Sequence, residues 1–133
     1  MDQFIDQYQV LYNKARADFS ATQILLNEFN KNDSELDLDT IYFHLQQCAE
    51  KLLKSILSKN GINYPKIHDI ERLFELLEDN NIGLITNQIL LSELSDFAVE
   101  GRYAIINDNL FKTEEYISEL NSLTTKVKDL LND

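Results

Sequence analysis

Three glycines and one proline are the only strong backbone punctuation in 133 residues. An all-β domain of this size needs a turn signal every ~8–12 residues, so the shortage argues against sandwiches and barrels and favours a few long helices. The apolar spacing agrees. From Phe4 it runs Tyr8, Leu11, Tyr12, Ala15, Phe19, Leu26 and Phe29, steps of threes and fours that mark one face of a long helix ending near Asn30.

Residues 31–39, KNDSELDLD, combine turn formers with four acids and predict a solvated loop, with Asp39 as N-cap of a second helix from Thr40 to Lys59. Gly61 suits the left-handed position past that helix, and Pro65 prevents its continuation. A short third helix is expected from Ile67 or His68 to Glu78, stopped by Asn80, Asn81 and Gly83. A fourth is expected from Thr86 to Ile106, with Leu90, Leu94, Phe97, Ala98, Gly101 and Ile105 in register. The fifth opens at Thr113 as N-cap and buries Ile117, Leu120, Leu123, Val127 and Leu130. The expected fold class is all-α, an antiparallel up-and-down bundle of four main helices plus one short helix, with residues 1–133 as a single domain.

The formal charge of −11 argues against a protein that wraps long nucleic acid with its whole surface. Its distribution is uneven. Residues 51–72 hold Lys51, Lys54, Lys59, Lys66 and Arg72 against Asp69 and Glu71, a balance of +3, while residues 73–100 hold six acids and no base. The basic stretch is compatible with a small anionic ligand at one spot. The opening MDQFIDQYQV has no basic n-region before an apolar run, and no segment approaches the ~18 apolar residues of a membrane helix, so a cytoplasmic protein is expected. Cys48 is the only cysteine and His44 and His68 the only histidines, which leaves no metal-site motif, and no cofactor is expected.

On a helical wheel the second helix gathers Tyr42, Leu45, Ala49, Leu52, Leu53 and Ile56 on its core arc. His44, Gln47, Lys51 and Ser55 form a polar stripe, and Phe43, Glu50, Lys54 and Leu57 form a mixed side expected to meet a partner. Glu50 and Lys54 have the favourable i,i+4 order. His68 and Asp69 read as an N-terminal cap and first-turn acid. Arg102 borders the apolar arc of the fourth helix, as a snorkelling or acid-paired side chain or as a phosphate fork. No nucleophile elbow, phosphate-cradling glycine loop or paired-carboxylate motif occurs.

Residues 42–70, YFHLQQCAEKLLKSILSKNGINYPKIHDI, and residues 96–103, DFAVEGRY, together resemble the HEPN domain (higher eukaryotes and prokaryotes nucleotide-binding). The matching positions are Gln47, Glu50, Lys51 and Lys54, then His68, Asp69 and Ile70, then Arg102 and Tyr103. The resemblance implies a helical bundle that commonly forms homodimers and is often encoded beside a small nucleotidyltransferase, some members being metal-independent ribonucleases. That ribonuclease branch carries an Arg followed after four to six residues by His. Here YAIINDNLF follows Arg102 and no histidine occurs downstream, so no residue is assigned as catalytic. Loss of a general base costs ~10²–10⁴-fold, which weighs against enzyme activity.

The expected function is therefore that of a dimeric accessory domain binding a nucleotide, a nucleotidyltransferase partner, or both. Lys51, Lys54, Arg102 and Tyr103 are the candidate ligand residues, and Gln47, Glu50, His68 and Asp69 the family-motif or interface residues. The alternatives are a divergent ribonuclease toxin of a toxin-antitoxin or defence system, and a purely structural interaction module.

Overall fold

The computed structural model describes residues 6–31, 35–98 and 110–132. They form an all-α bundle: α1 (Gln7–Phe29), α2 (Leu38–Lys59), α3 (Ile70–Asp79), α4 (Gln88–Ser92), a 3-10 segment (Glu93–Phe97) and α5 (Leu110–Leu131). The centre is α2, which packs against α1, α3, the 3-10 segment and α5. Its Ile41, Leu45, Leu52, Leu53, Ile56 and Leu57 are buried from every side, each stabilising the fold by about 1.5–3 kcal/mol. No helix among the described residues is long and apolar enough to cross a membrane.

Two helices end in the same hydrogen-bonded motif. At the end of α2, Ile62 N–H donates to Leu57 O at 2.9 Å and Gly61 N–H to Ser58 O at 3.1 Å, with Gly61 at φ 68°. At the end of α3, Ile82 N–H donates to Leu77 O at 2.9 Å and Asn81 N–H to Glu78 O at 3.0 Å. There the left-handed residue is Asn81, at φ 61°, whereas Gly83, named in the expected stop, has no positive φ. Asparagine tolerates this conformation because its short polar side chain bonds locally.

Four expected boundaries move, the start of α3 from Ile67 or His68 to Ile70 among them. Asp37, not Asp39, caps α2: its Oδ1 accepts from Thr40 N–H at 3.0 Å and from the Thr40 hydroxyl at 3.1 Å. Asp39 sits in the first turn, with Oδ1 buried and unpartnered, and desolvation followed by the charge of Asp37 raises its pKa. Thr113 is not a cap but lies within α5, buried, sharing a 2.7 Å hydrogen bond with the Tyr42 hydroxyl. The expected fourth helix is α-helical only over Gln88–Ser92 and then tightens to 3-10 winding. Period-three winding keeps Leu91, Leu94 and Phe97 on the core side while Ser95 Oγ accepts the first N–H of α3, from Ile70, at 3.0 Å. The remainder of that expected helix, with Gly101, Arg102, Tyr103 and Ile105, lies outside the described residues.

Candidate functional site

The polar residues of α2 do not face water as a stripe. They divide between two neighbours. On the side of α1, Asp18 accepts from Lys51 Nζ at 2.6 Å and pairs with His44 Nδ1 at 3.0 Å, and the Asp18 side chain is 13% exposed. Ser55, predicted on the same stripe, is buried and donates to Leu52 O.

The mixed side expected to meet a partner is also interior at its centre. Leu57 is fully buried and Glu50 is 4% exposed, because the chain after α2 and the start of α3 fold across them. A carboxylate this buried must be hydrogen-bonded to persist. Glu50 Oε1 takes Gln46 Nε2 at 3.1 Å and His68 Nδ1 at 2.7 Å, and Oε2 takes Lys54 Nζ at 3.2 Å. Gln47 extends the chain by donating to Gln46 Oε1 at 2.7 Å. Opposite the carboxylate, the Lys54 ammonium lies 5.4 Å from the centroid of the Tyr64 ring.

An ionised Glu50 only accepts, so the geometry assigns the proton of a neutral His68 to Nδ1 and leaves Nε2 as the acceptor. The ring is half exposed while its orienting carboxylate is buried. Asp69 next to it is the N-cap of α3, accepting from Arg72 N–H at 3.3 Å, rather than lying in the first turn of a helix that opens at Ile67 or His68.

The structure thus brings Gln47, Glu50, Lys54 and His68 into one network and sends Lys51 to another. Arg102 and Tyr103 lie outside the described residues. Sequence reading missed Asp18 as the partner of His44 and Lys51, although its position between the buried Ala15 and Thr22 of α1 marked it as an acid in the buried stripe. Among the described residues, no cluster of histidine, cysteine and carboxylates is arranged for a metal. Cys48 is enclosed in the core, where burial pushes its thiol pKa up, so it is inert as a nucleophile.

A second feature lies on the far side of α3. A groove of about 500 Å³ runs between α3 and α4, lined by Glu71, Phe74, Glu75, Glu78, Ile89 and Glu93 among others. At its edge Ile89 is 82% exposed, and Ile85, just before α4, is 87% exposed. Arg72 offsets part of the acidity by pairing with Glu75 at 3.0 Å, and Lys112 does so with Glu93 at 3.1 Å.

No curated protein and no solved structure matches the chain. A family model described as the HEPN domain matches residues 8–133, which takes in the whole bundle, both carboxylate networks and the α3–α4 groove, and on that match the chain belongs to the HEPN domain family.

Proposed function

We propose that this HEPN domain is a dimeric binding module that docks a partner nucleotidyltransferase through the α3–α4 face, without cleaving RNA. The observation that carries the reading is the pair of exposed isoleucines, Ile85 and Ile89, beside a groove with four glutamates. Large exposed aliphatic side chains rimmed by like charge fit a partner segment that has an apolar anchor flanked by Lys or Arg. The pairing of nucleotidyltransferases with this family supplies the partner class. Lys51 and Lys54 are committed to Asp18 and Glu50, so a phosphate would have to compete with two internal carboxylates for them. Nucleotide binding by Lys51, Lys54, Arg102 and Tyr103 is accordingly the secondary use.

The test is the solution mass of the chain, alone and mixed with a small nucleotidyltransferase of the kind often encoded beside members of this family, for the native protein and for Ile89→Glu. A dimer that forms a complex in the native protein and loses it in Ile89→Glu supports the reading. A complex indifferent to Ile89→Glu, or no complex at all, overturns it.

One observation favours the ribonuclease alternative. His68 is a half-exposed imidazole oriented by a buried carboxylate, the second and third members of a base-and-orienter arrangement. RNA incubated with the protein without added metal, and with His68→Ala in parallel, decides it: cleavage lost in the variant establishes the enzyme, and intact RNA in both removes it.

A further inference from the structure

On the opposite side of the bundle, α1 and α5 leave a groove of about 490 Å³ between them. Arg16 of α1 and Lys128 of α5 line it, with Asp129 as the one carboxylate. Among the described residues neither cation has an ion-pair partner, whereas Lys31, Lys51, Lys54, Arg72 and Lys112 all do. In a chain of net charge −11, a groove with two unpaired cations against one carboxylate is locally positive. The rest of the lining supplies neutral donors, Ser20, Gln23 and Asn121 among them.

A second observation is independent of charge. Tyr12 stands in the wall of this groove, 7% exposed, and its hydroxyl is buried without a hydrogen-bond partner. Buried hydroxyls in folded proteins are overwhelmingly paired, so an orphan beside a polar cavity marks a place where an acceptor belongs. The hydroxyl itself is shielded from solvent, so contact with a ligand requires the groove wall to open.

We propose that the α1–α5 groove binds a small phosphate-bearing molecule, with Arg16 and Lys128 neutralising the phosphate and the Tyr12 hydroxyl donating to one of its oxygens. Several donors converging from two helices suit a group with three acceptor oxygens better than a planar carboxylate, and the volume falls within the range of small-molecule sites, ~300–1,000 Å³. Phe19 adds an apolar wall for the remainder of the molecule. The site shares no residue with the α3–α4 docking face or with the Glu50 network.

Titration with inorganic phosphate at constant ionic strength, followed by amide chemical shifts, tests the proposal with acetate as the comparison anion. Saturable shifts confined to residues 12–23 and 121–129 are expected, stronger for phosphate than for acetate. Arg16→Gln and Lys128→Gln should each weaken binding about tenfold, the scale of one charge-assisted contact. Tyr12→Phe should weaken binding severalfold while the melting temperature holds or rises, because an orphaned hydroxyl has been removed. Shifts that never saturate, that persist in the Arg16→Gln, Lys128→Gln double variant, or that are unaltered by Tyr12→Phe overturn the proposal. Ile89→Glu should leave the titration unchanged, so failure here and failure of the docking face are distinguishable.

Discussion

Glu50 Oε1 and His68 Nδ1 meet at 2.7 Å across 18 residues of sequence, tying the middle of α2 to the residue that precedes the cap of α3. The two ends of this bond differ in environment. The carboxylate is nearly sealed and also holds Lys54, whereas the imidazole is half in water. Removing Glu50 therefore takes a partner from three groups, Gln46, Lys54 and His68, whereas removing His68 leaves a carboxylate that retains Gln46 and Lys54. Glu50→Ala should cost about 3 kcal/mol, as for the loss of one member of a buried pair, while His68→Ala should cost under ~1 kcal/mol. Urea unfolding of both variants measures the difference, and equal costs would contradict the asymmetry.

Tyr42 and Thr113, 71 residues apart, give a second pair with a different signature. Both are buried, and Phe97 and Tyr116 enclose the Tyr42 ring edge-on at 4.9 and 5.6 Å. Thr113→Val leaves the Tyr42 hydroxyl unsatisfied and should cost about 1–3 kcal/mol. The double variant Tyr42→Phe, Thr113→Val removes both polar groups and should recover most of that loss, which a double-mutant cycle by thermal unfolding would record.

Backbone conformation separates the two described glycines. Gly61 holds φ 68°, and an added Cβ meets nothing within 4 Å, so Gly61→Ala carries only the left-handed strain, about 1–2 kcal/mol. Gly83 has open space and no such φ, so Gly83→Ala should be neutral or stabilise by up to ~1 kcal/mol through the unfolded chain. Asn81→Gly should stabilise slightly, since it relieves the strain at φ 61°. Melting temperatures should place Gly61→Ala below both of the other variants.

These pairs also explain what was legible in the sequence. Periodicity placed α1, α2, α3 and α5, because each carries a continuous apolar stripe, although the central α2 is buried beyond it, and the Gly61 stop followed from the need for a left-handed residue. The short α4 was not legible: Leu90, Leu94 and Phe97 fit a 3.6-residue period as well as the Leu91, Leu94, Phe97 spacing fits a period of three, and the Ser95–Ile70 bond that accompanies the tighter winding joins residues distant in sequence. Thr113 looks like a cap by type, but its role is set by Tyr42, far away in sequence. The polar face of α2 was visible as a face, yet its burial was not. Whether Glu50 and Lys51 meet water depends on what the 60–69 connection and Asp18 cover, and those are tertiary facts. Gln47, Glu50, Lys54 and His68 were gathered by motif spacing, while the orphaned Tyr12 hydroxyl left no trace in any pattern.

The pH dependence of stability follows from two carboxylates that hold neighbouring elements. Glu119 of α5 accepts Asn87 N–H and the Thr86 hydroxyl, both at 2.7 Å, just ahead of α4, and these bonds lower its pKa below the usual 4.5. Glu93 is lowered likewise, first by the Tyr116 hydroxyl and then by Lys112. A folded-state pKa below the unfolded value contributes stability that is complete above the unfolded value and is lost as pH falls through the folded one. Asp39, raised by burial, titrates in the opposite sense and offsets part of the loss. Stability should therefore hold from neutral pH down to about 4.5 and decline below it, and the decline should be shallower in Glu119→Gln, which has no carboxylate left to protonate there. Urea midpoints between pH 3 and pH 7 would show it, and an acid limb identical in the variant would mean that Glu119 does not link α5 to α4 through its charge.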